Sequence, residues 1–69
     1  MKIKLDKDAD AAYIKIVDKI KDGEATKNIM LSENIILDFN SEGNLLGIEV
    51  LDASKTLNQD LLLEANSIN

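Results

Sequence analysis

Four short stretches of this chain alternate apolar and polar residues and another turns apolar toward its end, and the intervals between the five are too short for a parallel crossover. Ile3 and Leu5 alternate with Lys2 and Lys4. Ala12, Ile14 and Ile16 alternate with Tyr13, Lys15 and Val17. Ala25 to Leu31 turns apolar toward its end. Ile35, Leu37 and Phe39 alternate with Ile36 and Asp38, and Leu46, Ile48 and Val50 with Leu45, Gly47, Glu49 and Leu51. The pattern predicts strands over about 2–6, 12–18, 25–31, 35–39 and 45–51. With crossovers excluded, the expected sheet is an antiparallel meander of four to five strands.

The period then changes. Leu57, Leu61, Ala65 and Ile68 fall at helical spacing, predicting a helix over about 54–66 with Ser54 as its N-cap. A single C-terminal helix must bury that stripe on one sheet face, which gives an α+β domain over residues 1–69. Ile3, Leu5, Ala12, Ile14, Ile16, Ile29, Leu31, Ile35, Leu37, Phe39, Leu46, Ile48 and Val50 are assigned to the face under the helix. Lys2, Lys4, Tyr13, Lys15, Asp38 and Glu49 are assigned to the opposite, wetted face. Asp22-Gly23 reads as a turn, and Asn40-Ser41-Glu42-Gly43-Asn44 as a hairpin with Gly43 at a positive-φ position.

A domain of 69 residues has a thin core, and with no cysteine it has no disulfide to reinforce it. The hydrophobic fraction of 45% is that of a folded chain. A formal charge of −5 disfavours autonomous nucleic-acid binding and suits a basic protein partner. No apolar run reaches the roughly 20 residues of a membrane span, and no signal-type segment opens the chain. A cytoplasmic location is expected, consistent with the lack of cysteine.

Few residues suggest chemistry. Asp6, Asp8 and Asp10 have the first, third and fifth spacing of a calcium loop, but Ala11 and Val17 stand where such a loop needs Gly and a bidentate Glu. The simpler reading is a turn whose aspartates bond their own backbone, so no metal or other cofactor is expected. Without His or Cys, acid–base work would fall to carboxylates, Tyr13 or lysine. Asp38 and Glu49 are the one carboxylate pair that a hairpin brings near, and the reading is that they are solvated; no catalytic residue and no enzyme is expected. Gly47 interrupts a strand, either as a bulge or because a residue such as Tyr13 covers it. Leu61-Leu62-Leu63 is more apolar than one stripe requires. Leu62 and Leu63 are therefore the candidate contacts of a homodimer.

Two phrases carry a resemblance. Met1-Lys2-Ile3-Lys4-Leu5-Asp6 followed by Asp8-Ala9-Asp10-Ala11-Ala12-Tyr13-Ile14 resembles the opening of a family of very small prokaryotic domains of unknown function. Gly43-Asn44-Leu45-Leu46-Gly47-Ile48-Glu49-Val50-Leu51-Asp52-Ala53-Ser54 resembles that family's closing phrase. Leu5 departs from the family pattern, which often has Tyr there, and the connection from Asp18 to Glu24 is longer and richer in lysine. The resemblance implies an accessory or antitoxin-like role, because such proteins are often encoded beside toxin-like proteins of ribonuclease-type fold. The expected function is a protein-binding module that neutralises a small basic partner. The alternative is a structural or regulatory domain binding a ligand or metal through Asp6, Asp8 and Asp10, and a small enzyme ranks last.

Overall fold

The computed structural model describes the backbone of residues 1–68 and the side chains of residues 1–63. Five strands, β1 (Lys2–Asp6), β2 (Ala11–Lys15), β3 (Lys27–Ser32), β4 (Ile35–Phe39) and β5 (Leu45–Leu51), precede two helices, α1 (Ala53–Thr56) and α2 (Gln59–Ile68). Every strand pair is antiparallel, so the α+β class expected from the sequence is the one observed.

The strand order departs from a simple meander. It is β1-β2-β5-β4-β3, with β5 inserted between β2 and β4. The link over residues 16–26 makes this order reachable. It crosses about three strand spacings, roughly 14 Å, and eleven residues extend to more than twice that. The inserted strand is the one with most to bury: Leu46 and Val50 are 2% and 1% exposed. Periodicity reports that a strand is buried but not which neighbours bury it.

The faces sort as expected. Ile3, Ile14, Ile48, Leu37 and Ile29 stand opposite one another in turn and form one aliphatic row across all five strands. Leu5, Ala12, Val50 and Ile35 form a second row on that face. Lys4, Tyr13, Glu49, Ile36 and Met30 line the other side. Two irregularities bend the sheet, one between Asp38 and Phe39 and one in β3 between Met30 and Ser32, which leaves Leu31 without a partner in β4. The turn at Gly43 has the expected positive φ of 87°, and its neighbours Glu42 and Asn44 donate their backbone N–H groups to the Asn40 side chain.

The single helix expected over 54–66 is two. The chain leaves α1 at Leu57 in an extended conformation and restarts at Asn58. The Asn58 side chain accepts the Asp60 N–H at 2.8 Å, and its carbonyl accepts from Leu61 and Leu62. That restart resets the helical phase. Leu57 and Leu62, rather than Leu57 and Leu61, therefore pack on the cluster of Ala12, Val50 and Ala53. Leu61 is only half-buried, and the side chains of Ala65 and Ile68 lie outside the described residues. Small side chains at Ala12 and Ala53 let α1 sit close against β2 and β5, while α2 packs on β1.

Candidate binding surface

The first aspartate loop is a backbone device. Asp6 closes the turn after β1 by accepting the N–H groups of Asp8 and Ala9, both at 3.1 Å. Asp10 takes a left-handed φ of 50°, which Asp tolerates better than most residues. Its carbonyl accepts Ala53 N–H at 2.8 Å, and its carboxylate accepts Ser54 N–H at 3.0 Å and the Ser54 hydroxyl at 2.7 Å. Asp10 thus caps α1 from 44 residues away in the chain. Ser54 is not the N-cap expected from its position; that place is held by Asp52, also at φ 50°, whose side chain makes no cap bond.

These bonds turn the carboxylates of Asp6 and Asp10 to different tasks. Among the described residues no three His, Cys, Asp or Glu side chains gather as a metal-holding group, so Asp6, Asp8 and Asp10 are not brought together as ligands.

On the outer face Tyr13 crosses Gly47 and donates its hydroxyl to Asp38 at 3.0 Å. A Cβ at Gly47 would collide with the Tyr13 ring and hydroxyl. The interrupting glycine is therefore the seat of an aromatic side chain. Burial is the main reason the Tyr13 phenol is pushed up to about 12, followed by the bond to Asp38 and by the negative charges of Asp38 and Glu49. A phenol held neutral beside two carboxylates is a poor general base at neutral pH. Beside it an open depression of about 550 Å³ is lined by Lys4, Lys7, Asp6, Asp8, Tyr13 and Glu49 with apolar neighbours. Its mixed charges favour water over any one class of ion.

The remaining feature is apolar. Every residue of β3 is exposed, with Ile29 at 50%, Met30 at 67% and Leu31 at 66%. β3 is an edge strand, and among the described residues the helices pack chiefly on β1, β2 and β5. Ile35, Leu37 and Phe39 of β4 are half-buried beside it. The sequence placed the expected contact on α2 instead. There Leu63 is 66% exposed, whereas Leu62 faces inward onto the core. The apolar end of β3 was legible; that its side chains would stay exposed was not.

Both phrases lie almost wholly within the span of a family match. The chain belongs to the family described as protein of unknown function (DUF2283), whose profile matches residues 2–54. That span holds the whole sheet, the Asp10–Ser54 cap and the Tyr13–Gly47–Asp38 cluster. It is also 35% identical over 60 residues to an uncharacterized protein of Methanocaldococcus jannaschii, which covers 87% of this chain and 49% of that one. The chain thus spans about half the length of the curated relative it matches. No solved structure matches it.

Proposed function

We propose that this member of the DUF2283 family is a protein-binding module that offers the open β3–β4 half of its sheet to a partner. One observation carries the reading: an edge strand exposed at every position, with three consecutive large apolar residues, beside a strand whose apolar side chains are only half-buried. Exposed edges of that composition are ready templates for another chain. The Asp6 and Asp10 carboxylates are occupied in closing a turn and capping α1, and that of Asp38 in holding Tyr13, which favours binding over ligand or metal chemistry. In this reading the chain is not an enzyme.

The partner class follows from charge. A net charge of −5 steers a basic protein toward the surface and sets the encounter rate more than the final affinity. The antitoxin-like role fits that chemistry, with a small basic ribonuclease-fold protein as the target in the cytoplasm. Co-expression of such a protein, encoded beside this chain, is the test. The wild type is expected to restore growth and to co-purify in a salt-sensitive complex. Ile29→Asp, folded but with a charge on the open strand, is expected to lose both. Equal protection by the two would refute this surface, and no protection by the wild type would refute the antitoxin-like role.

A further inference from the structure

The outer face of the sheet holds a gap beside Tyr13. Along β2 the outward residues Ala11, Tyr13 and Lys15 stand opposite Leu51, Glu49 and Gly47 of β5. Tyr13 leans toward the Gly47 end, where its ring lies over the glycine and Asp38 holds its hydroxyl at 3.0 Å. It therefore leans away from Ala11, whose methyl group is too short to fill the space left. The depression of about 550 Å³ lies there. Its size falls within the roughly 300–1,000 Å³ of small-molecule sites.

The register arranges its charges. Lys4 of β1 and Glu49 of β5 both stand opposite Tyr13, so a cation and an anion flank the aromatic residue. Their backbones are two strand spacings apart, about 10 Å, and both side chains line the depression. The other charges there are already matched. Asp6 accepts two N–H groups of its own turn, and Lys7 and Asp8, adjacent in that turn, offset one another. The Tyr13 phenol, pushed up to about 12 by burial and then by Asp38, stays neutral at ordinary pH and adds no charge. A pure anion is repelled by Glu49, and a pure cation by Lys4. A molecule carrying both charges is attracted by each.

We propose that this depression binds a small zwitterion of the amino-acid type, its carboxylate toward Lys4, its ammonium toward Glu49 and its apolar body over Ala11 beside the Tyr13 ring. The site lies on the β1, β2 and β5 part of the sheet, apart from the open β3–β4 half, and does not depend on the protein-binding reading. It also makes no use of the Asp6, Asp10 and Asp38 carboxylates that turn, cap and tyrosine occupy. Lys4 is exposed and Glu49 half-buried, so the charged contacts are solvent-screened and the affinity is modest.

Amide chemical-shift titration of the whole chain tests the site, with phenylalanine as the probe. Saturable shifts at Lys4, Ala11, Tyr13 and Glu49 are expected, with a dissociation constant in the low millimolar range. N-acetylphenylalanine lacks the ammonium and phenylalaninamide lacks the carboxylate. At slightly acidic pH each is expected to bind about fivefold more weakly. Glycylphenylalanine separates two sources of the same charge pair: tighter binding than phenylalanine assigns the site to short peptides, and equal or weaker binding to free amino acids. Lys4→Glu and Glu49→Lys each leave two like charges and are expected to weaken phenylalanine by about the same factor. The two together are expected to restore binding with the ligand reversed. The amide spectrum reports the folding of each variant, and the analogue series on the unaltered chain needs no variant at all. No saturable shift from phenylalanine, analogues that bind as well as phenylalanine, or a folded double variant no better than its single parents would overturn the proposal. Ile29→Asp is expected to leave the titration unchanged, so this site and the open half fail separately.

Discussion

The two halves of this sheet share a row of aliphatic side chains but not a cover. At one end of the row Ile3 is 3% exposed under α2; at the other, Ile29 is 50% exposed. Among the described residues the buried apolar side chains, Ile3, Ala12, Leu46, Val50 and Ala53, belong to β1, β2, β5 and α1, and none to β3 or β4. One half holds the fold together, and the other presents the same kind of surface unburied. A chain of this size has on the order of 3–10 kcal/mol of total stability, so an uncovered apolar half is a costly feature to keep without a use.

The comparison breaks first at Leu46, which is almost wholly buried. Leu46→Ala is expected to cost about 2–5 kcal/mol, enough to leave much of the chain unfolded at 25 °C, as denaturant titration would read. Next is Gly47→Ala. Its methyl group enters the space of the Tyr13 ring, for an expected loss of roughly 1–3 kcal/mol. Adding Tyr13→Ala to it is expected to cost less than the sum of the two changes, because the collision is gone. A sum with no coupling would show that Tyr13 does not lie on Gly47.

Asp10→Ala removes the cap that ties α1 to the hairpin and is expected to cost about 1 kcal/mol, with Asp10→Asn keeping part of it. Tyr13 offers a smaller and pH-dependent effect. Its neutral form is favoured by folding, since its folded pKa of about 12 lies above the ordinary value of 10.0. The contribution is therefore fully present below pH 10 and is lost as pH rises from 10 toward 12. As the one tyrosine of the chain, it can be followed by tyrosinate absorbance, with Tyr13→Phe abolishing the signal and costing about 1 kcal/mol at neutral pH. The smallest effect belongs to the open half. Ile29→Ser with Leu31→Ser is expected to change the stability of the isolated chain by no more than about 0.5 kcal/mol at low concentration.

What the sequence disclosed follows from what is local. Alternation placed β1, β4 and β5 at their observed bounds and the two faces on their correct sides, because side-chain period is a property of each strand alone. The insertion of β5 beside β2 depends on pairings between distant residues such as Ala12 and Val50, which no local pattern records. The sequence reading ran one helix through Asn58, whose restart turns the stripe and moves Leu62 inward. Gly47 was legible as a covered glycine, and Tyr13 covers it. The capping role of Asp10 was hidden, because its partner Ser54 lies 44 residues away in the chain. The open half was hidden for the same reason: composition does not show how far two short helices reach across a sheet.

Amide hydrogen exchange tests the division of the molecule most directly. The amides of β2 and β5 should exchange only through global unfolding, while those on the outer side of β3 exchange fast. β3 amides on that side as slow as those of β5 would contradict it.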